Sequence, residues 1–238
     1  MSIGRESPGS LGTPRLHLRR TDSTNTRARE LALRGAPNGT LVTAREQTAG
    51  RGRQGRHWTA PPGKALLCSL VIRDPPPLLT LAAGVGVAEL VGSPAAVKWP
   101  NDVLLAGRKV AGILVEGRPQ ERWAVLGIGL NVALGEQDFP PELRARAGTL
   151  GWGPESIEPT LERLLRSLEH WIAAAPSAVL EAVRARDALL HQSVLWTGGG
   201  GRAAGIDADG HLLVETADGV VALQAGEVHL ATRAGEGP

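Results

Sequence analysis

The spacing of apolar residues changes between a strand-like and a helix-like pattern along the chain. The runs at 65–72 (ALLCSLVI) and 122–134 (RWAVLGIGLNVAL) are nearly continuous in apolar residues, as in buried strands. The run at 159–173 (PTLERLLRSLEHWIA) repeats its leucines every three or four residues, which is typical of an amphipathic helix. The chain therefore combines a sheet with packed helices.

The order of these runs predicts which elements are neighbours. Helices are predicted at 21–35, 78–92, 159–173 and 177–190. Strands are predicted at 16–20, 39–47, 65–72, 95–99, 103–107, 109–117 and 122–134. The last four strands follow one another closely, so we expect them to lie side by side, with a hairpin turn at Gly107.

The two ends of the chain differ in composition from its middle. Residues 1–14 are rich in glycine, proline and polar residues, which predicts a disordered tail. In 191–238, short apolar runs are separated by glycines, with hairpin signals at 208–210 and 217–219. The sequence predicts a main domain at 15–190 followed by a small β-barrel at 191–238.

Composition limits the function classes. The 238 residues carry a net charge of only +2, which argues against a general nucleic-acid coat. No apolar run approaches the roughly 20 residues of a membrane span. Cys68 is the one cysteine, so no intramolecular disulfide can form and a cytoplasmic location is expected. The only lysines are Lys64, Lys98 and Lys109, so each is a candidate for a role that an amine fills and a guanidinium does not.

The segment Q-T-A-G-R-G-R-Q-G-R-H-W, from Gln47 to Trp58, is the most distinctive motif, and we call it the arginine loop. Its glycines allow the backbone to approach a ligand, and its arginines are donors suited to carboxylate and phosphate oxygens. A solvated basic loop or an RGG-like nucleic-acid tail would have a similar composition. The position between two predicted strands favours a folded, anion-binding loop.

Three shorter motifs carry further polar groups. K-W-P-N-D at 98–102 places an amine, an amide and a carboxylate at a proline turn, although an ordinary turn would also explain it. R-K-V-A-G-I-L-V-E at 108–116 begins a strand with Lys109, which alone could be a solvated hairpin lysine. G-I-G-L-N-V at 127–132 places Asn131 in an apolar strand, where it needs partners from the protein or from a ligand.

Together with S-T-N at 23–25, these motifs occur in an order that resembles the biotin protein ligase family. The resemblance extends from about residue 15 to the C-terminus, where G-I-D-A-D-G-H-L-L-V and A-G-E-V resemble the family's SH3-like domain. It implies an α+β fold related to class II aminoacyl-tRNA synthetases, with a mixed central sheet, flanking helices and a C-terminal SH3-like barrel. It also implies ligation of biotin to a carrier lysine through biotinyl-5′-AMP.

The resemblance assigns residues to each substrate. The residues implied to bind biotin are Ser23, Thr24, Asn25, Gln47, Gly50, Arg51, Arg53, Lys109 and Gly112. The residues implied to bind ATP or the adenylate are Arg53, Arg56, Trp58, Lys98, Asn101, Asp102 and Asn131. Lys109, Arg51 and Arg53 are the implied catalytic residues. Mg²⁺ is expected to accompany ATP and to be held mainly by phosphates, so its protein ligands are left open.

The expected partner is the biotin carboxyl carrier domain of acetyl-CoA carboxylase or a related carboxylase. Only about 15 residues precede the first strand, so no N-terminal DNA-binding domain and no nucleic-acid partner are expected. A membrane partner is not expected, and a homodimer is left open. A lipoate or octanoate ligase-like enzyme and a non-catalytic biotin-binding interaction protein are the two alternatives.

Overall fold

The computed structural model describes residues 11–224, 226 and 228–230, without the side chains of residues 118 and 119. The described helices are α1 (Thr24–Leu33), α2 (Leu79–Val91), α3 (Ile157–Ala173) and α4 (Pro176–Arg184). The described strands are β1 (Arg15–Leu18), β2 (Leu41–Ala44), β3 (Ala65–Arg73), β4 (Ala95–Lys98), β5 (Asp102–Leu105), β6 (Arg108–Arg118), β7 (Trp123–Asn131), β8 (Ser193–Trp196), β9 (Gly199–Ile206), β10 (Leu212–Thr216), β11 (Gly219–Leu223) and β12 (His229–Leu230). No helix among these is long and apolar enough to cross a membrane.

The main sheet has seven strands in the order β1-β2-β3-β7-β6-β5-β4. Strands β1 and β2 are parallel and are connected through α1, whereas the other neighbours are antiparallel. The sheet is therefore mixed, as the resemblance implies. The four strands predicted to be neighbours are consecutive in it, and Gly107 lies in the β5–β6 turn with φ 77°.

One face of the main sheet packs against α2 and α3. Alternate residues of β3 and β7 point to this face, including the fully buried Leu70 and Leu126, and they meet leucines of α3 such as Leu164. Gly84 and Gly86 would weaken α2 by their propensity, yet a Cβ at either position would lie only 3.4 Å from Val97 or Leu168. These glycines therefore let the helix pack closely.

The opposite face is covered only in part. Ala28 and Ala32 of α1 pack against Val71 and Val125 near one end of β3 and β7. Further along the same face, β7 carries glycines at positions 127 and 129 in place of apolar side chains. Because these glycines leave the surface of the sheet open, a cleft forms beside the N-terminus of α1.

The C-terminal strands form a five-stranded antiparallel sheet in the order β11-β10-β9-β8-β12. Residues of this sheet, such as Val194 and Leu212, are buried in the same cluster as Leu81 of α2 and Val183 of α4. The indole of Trp99, which follows β4, donates a 2.9 Å hydrogen bond to the carbonyl of Gly210. The C-terminal sheet thus shares its core with the main domain.

Of the predicted boundaries that differ from the structure, three have a visible cause. The predicted disordered tail falls outside the described residues up to residue 10, but Leu11 packs against the core and its backbone N–H donates to Glu169. Helix α1 begins at Thr24 because Thr21 pairs with Gln47 instead of starting the helix. Helix α4 ends at Arg184 because the next residues pair with Val97 at the edge of β4.

Candidate active site

The cleft is a space of about 890 Å³ that is open to solvent. The backbones of Gly112, Gly127 and Gly129 line it, and Gly112 pairs with Gly129 across β6 and β7. The arginine loop borders the cleft, and Gly226 and Val228 contribute from the C-terminal domain. The site therefore lies where the main sheet, the loop and the C-terminal domain meet.

A shift in the pairing of β5 with β6 brings Lys109 into the cleft. Lys109 and Gly112 are three positions apart, so in a regular strand they would face opposite sides of the sheet. The register shifts between Val103 and Leu104: Val103 pairs with Ala111, whereas Leu104 pairs with Lys109. The extra residue changes the alternation, and both Lys109 and Gly112 line the cleft.

One end of the cleft contains uncharged polar groups. We define this neutral end by Ser23, Thr24, Asn25 and Gln47, supported by Ser69 and Glu116. The backbone N–H of Thr24 donates a 2.7 Å hydrogen bond to Gln47 Oε1, and the Thr24 hydroxyl oxygen lies 3.0 Å from the same atom. Ser23 immediately precedes α1 and is only 2% exposed. These groups can donate and accept hydrogen bonds with a polar ring.

The arginine loop folds back on itself like a hairpin. Its closing hydrogen bonds run from Trp58 N–H to the Gly50 carbonyl (2.9 Å) and from Gly52 N–H to the Arg56 carbonyl (2.8 Å). A Cβ on Gly50 would lie 2.3 Å from the Trp58 carbonyl, so glycine is required there. The loop is folded, and its arginines reach the cleft from one side.

The other end of the cleft is positively charged. We define this cationic end by Arg53, Arg56, Lys98 and Lys109, together with Asp102. Lys109 Nζ lies 2.7 Å from Asp102 Oδ1. The concentration of four basic side chains around one carboxylate leaves a local excess of positive charge that suits a polyanion.

Asn101 connects Arg53 to the sheet. The guanidinium of Arg53 donates a 3.2 Å hydrogen bond to Asn101 Oδ1, and Asn101 Nδ2 donates to the carbonyl of Ile113 at 2.9 Å. Both ends of the Asn101 amide thus have partners within the chain. The geometry favours a role for Asn101 in orienting Arg53.

Burial changes the acidity of two basic side chains at the cationic end. It lowers the pKa of the Lys98 ammonium below its usual 10.5, and Lys109 and Arg56 lower this pKa further, against the attraction of Asp102. Burial also lowers the pKa of the Arg53 guanidinium. The cationic end is therefore held together at an electrostatic cost that an anion would relieve.

The Trp58 indole lies across the glycine pair of β6 and β7. A Cβ on Gly129 would be 2.4 Å from its Cε2 atom, and one on Gly112 would be 3.0 Å from its Cζ3 atom. Lys109 Nζ lies 5.7 Å from the centre of a Trp58 ring. The buried Nε1 atom has no hydrogen-bond partner among the described residues. An acceptor from a ligand could satisfy this buried donor.

Most of the residues implied by the resemblance meet in this cleft. Those lining it are Ser23, Thr24, Asn25, Gln47, Arg51, Arg53, Arg56, Trp58, Lys98, Asn101, Asp102, Lys109 and Gly112. Gly50 shapes the arginine loop without lining the cleft. Asn131 is not a lining residue, and its Nδ2 donates a 2.9 Å hydrogen bond to the Gly148 carbonyl. Arg51 lines the cleft but pairs with Glu116 at 2.8 Å.

Several residues in or beside the cleft have no role in the sequence-based interpretation. Ser69 and Glu116 support the neutral end, and Trp99 connects the site to the C-terminal domain. Gly127 and Gly129 form the floor. The two glycines are two positions apart in a predicted strand, so they must share a face, and this signal could have identified the floor.

The chain is similar to known proteins over most of its length. Residues 17–132 match the model of the biotin/lipoate A/B protein ligase family, and residues 181–230 match that of the biotin protein ligase C-terminal domain. The biotin--[acetyl-CoA-carboxylase] ligase of Mycobacterium tuberculosis is 36% identical, over 87% of this chain and 85% of that protein. The chain belongs to the biotin protein ligase family.

Two further relatives cover most of the chain. The bifunctional ligase/repressor BirA of Bacillus subtilis is 35% identical, over 87% of this chain and 71% of that protein. The biotin protein ligase of Aquifex aeolicus, solved in complex with biotin and ATP, has a TM-score of 0.76 and 27% identity, covering 92% of this chain and 99% of that one. The biotin ligase fold, including its C-terminal domain, is thus confirmed for this chain.

Proposed function

We propose that this member of the family is an ATP-dependent biotin protein ligase whose two half-reactions take place in the cleft. The observation that carries the proposal is the division of one cleft into a neutral, hydrogen-bonding end and a cationic end, with Lys109 placed between Trp58 and Asp102. Biotin has a polar ring at one end and a carboxylate at the other. This polarity matches that of the cleft.

In the first step, a carboxylate oxygen of biotin attacks the α-phosphorus of ATP. The bond from the α-phosphorus to the bridging oxygen breaks, and pyrophosphate leaves with its electron pair. Since two anions must approach each other, charge neutralisation is the main requirement. Lys109 would bridge the carboxylate and the α-phosphate, Arg53 would stabilise the developing charge, and Arg56 and Lys98 would hold the departing phosphates.

In the second step, the ε-amine of a carrier lysine attacks the carbonyl carbon of biotinyl-5′-AMP. The new C–N bond forms an amide, the carbon–oxygen bond to AMP breaks, and the amine loses a proton to water in the solvent-open cleft. AMP leaves as an anion, which Lys109 can again stabilise. The proposed acceptor is a biotin carboxyl carrier domain of acetyl-CoA carboxylase or a related enzyme.

At the neutral end, Ser23, Thr24 and Gln47 would bind the ureido ring, with Asn25 beside them. The valeryl chain would run past Gly112, where the lack of a side chain leaves room for Trp58 and Lys109. Trp58 would cover the adenylate, with its Nε1 as a donor. The Arg51–Glu116 pair favours a role for Arg51 in fastening the arginine loop over the ligand. The tether from Asn131 to Gly148 favours indirect support of the nucleotide through the 146–150 segment.

Mg²⁺ is proposed as the companion of ATP. Among the described residues that line the cleft, Asp102 is the one carboxylate, and it already neighbours Lys109. A donor set of one carboxylate suits Mg²⁺, which keeps several waters and binds mainly through phosphates. Asp102 would be its protein ligand, and the ion would neutralise phosphate charge.

The decisive experiment is exchange of labelled pyrophosphate into ATP, followed by mass spectrometry of a carrier domain. We expect exchange that requires biotin and a mass increase of one biotinyl group on the carrier. Exchange with lipoate but not with biotin would support the lipoate ligase alternative. Absence of exchange with either acid would support a non-catalytic binding protein and would contradict the proposal.

A further inference from the structure

Ser69 on β3 and Glu116 on β6 lie beside the neutral end and contact no substrate in the mechanism above. Ser69 is fully buried and the Glu116 side chain is 26% exposed. We propose that both are positioning residues, which fix Thr24 as a hydrogen-bond acceptor for a ring N–H and fasten Arg51. This inference rests on the proposed function, because the ring in question is the ureido ring of biotin.

The contacts form one continuous chain of polar groups. Ser69 Oγ lies 2.7 Å from Thr24 Oγ1 and 2.6 Å from Asn25 Oδ1. Asn25 Nδ2 donates to Glu116 Oε2 at 2.8 Å, and Glu116 Oε1 lies 2.8 Å from an Arg51 nitrogen. These contacts thus connect α1, β3, β6 and the arginine loop.

The number of available protons determines which group donates and which accepts in each of these hydrogen bonds. Glu116 can only accept, so the Asn25 amide group must point its NH₂ toward it and its Oδ1 toward Ser69. Ser69 has a single hydroxyl proton, which Asn25 Oδ1 requires because that oxygen has none. The 2.7 Å contact between Ser69 and Thr24 is then a hydrogen bond only if the Thr24 hydroxyl is the donor. Gln47 Oε1 lies 3.0 Å from the same hydroxyl but already accepts the Thr24 backbone N–H at 2.7 Å. We therefore assign the Thr24 proton to the shorter contact, with Ser69.

This direction determines what Thr24 presents to the cleft. With its proton directed at Ser69, Thr24 Oγ1 has lone pairs available for a donor in the cleft, and donation to Ser69 strengthens it as an acceptor. Gln47 Oε1 still receives the Thr24 backbone N–H at 2.7 Å. A ring with N–H donors gains this hydrogen bond, whereas the dithiolane ring of lipoate has no N–H to offer.

Gly127 makes room for the chain of contacts. A Cβ at this position would lie 2.0 Å from Asn25 Oδ1. Asn25 is itself only 5% exposed, so it has little space in which to move away. Gly127 and the Glu116 carboxylate together hold the Asn25 amide in the orientation that determines the direction of the Thr24 hydroxyl proton.

Swapping the amide of Asn25 with the carboxylate of Glu116 tests the proposal. Asn25→Asp places two carboxylates at the 2.8 Å contact, so the KM for biotin should rise about 10- to 100-fold, while the KM for ATP stays within about twofold. Glu116→Gln brings an NH₂ group toward Arg51 or Asn25, so the biotin KM should rise about 10-fold.

The double variant Asn25→Asp/Glu116→Gln should recover at least about 10-fold of the biotin KM lost in Asn25→Asp. In it, the introduced carboxylate on α1 would accept from both Ser69 and the introduced amide on β6, and the oxygen of that amide would accept from Arg51. A purely structural role of each side chain predicts no such recovery. Melting temperatures of all variants separate effects on folding from effects on binding.

Two further variants complete the design. Ser69→Ala leaves the backbone intact and should raise the biotin KM about 10-fold with little change in kcat. Glu158→Gln removes a carboxylate that pairs with Arg15 away from the cleft and should leave both KM values unchanged. Wild-type exchange combined with an unrescued double variant would overturn this inference alone. No wild-type exchange with biotin would overturn the proposed function and this inference with it.

Discussion

The two ends of the cleft differ in how far their polar groups are satisfied by the protein itself. At the neutral end, Thr24, Asn25 and Ser69 are almost completely buried and hydrogen-bonded to one another. At the cationic end, burial and neighbouring positive charges lower the pKa of Lys98, and burial lowers the pKa of Arg53. The neutral end is thus organised in advance, whereas the cationic end keeps an electrostatic cost that a bound anion would lower.

This difference suggests that the neutral end selects the substrate ring and that the cationic end accelerates the reaction. Hydrogen bonds that are already in place can distinguish one ring from another at little cost in ordering. Positive charges that lack full compensation interact most strongly when negative charge is concentrated, as in the transition state of adenylation. The following predictions test this division, from the largest expected effect to the smallest.

Lys109→Ala should cause the largest loss, because Lys109 is the ammonium between Trp58 and Asp102. We expect kcat for biotin-dependent pyrophosphate exchange to fall by about 10²- to 10³-fold, with the melting temperature little changed. The control is Lys64→Ala, which removes an amine that pairs with Asp138 outside the cleft. Equal losses in the two variants would contradict a specific role for Lys109.

Alanine at Gly127 or Gly129 should damage different ends of the cleft, although both residues lie on one face of β7. A Cβ at Gly127 would meet Asn25, and one at Gly129 would meet the Trp58 ring. We expect Gly127→Ala to raise mainly the KM for biotin and Gly129→Ala mainly the KM for ATP, each about 10-fold or more. Steady-state exchange kinetics measure both. The same pattern in both variants would argue against two separate ends.

Lys98→Met should stabilise the protein and raise its KM for ATP. The folded-state pKa of Lys98 is lowered, so its ammonium opposes folding at neutral pH. This opposition is relieved as the pH rises through the lowered pKa toward the usual 10.5. We therefore expect Lys98→Met to be more stable than the wild type at pH 7, with a smaller gain near pH 10.

Thermal unfolding at both pH values tests this stability prediction. Lys64→Met is the matched control, because its ammonium pairs with Asp138 at 2.6 Å and its removal should not stabilise the protein. The KM for ATP should rise in Lys98→Met and stay constant in Lys64→Met. A melting temperature of Lys98→Met below that of the wild type at pH 7 would contradict the strain attributed to the cationic end.

Trp99→Phe should have the smallest effect, and it should fall on the cationic end. It removes the hydrogen bond to the Gly210 carbonyl, which connects the K-W-P-N-D motif to the C-terminal sheet. A loss of about 1 kcal/mol corresponds to a change of roughly fivefold in the KM for ATP, with that for biotin unchanged. Trp171→Phe removes a similar bond, to Glu89 far from the cleft, and should change neither KM.

The sequence was most informative where one element carries its own pattern. The leucine spacing of α3 and the apolar runs of β3 and β7 predict these elements directly, since burial imposes a period on each. The gathering of Lys109, Arg53 and Thr24 in one cleft was not derivable from periodicity. It followed from the resemblance of ordered motifs to a known family.

The parts that sequence reasoning missed depend on contacts between distant elements. Ser69 lies in an apolar strand, and nothing local distinguishes it from a satisfied serine. Only the pairing of β3 with β7 and the position of α1 place it against Thr24 and Asn25. The shift between β5 and β6 that brings Lys109 and Gly112 to one face is likewise a property of the sheet.

The central claim is that one cleft binds biotin at its neutral end and the phosphates of ATP at its cationic end. The most direct test is to measure the KM for both substrates in biotin-dependent exchange for Ser69→Ala and Lys98→Met. The account predicts that Ser69→Ala raises the biotin KM alone and that Lys98→Met raises the ATP KM alone. Parallel increases of both KM values in both variants would contradict it.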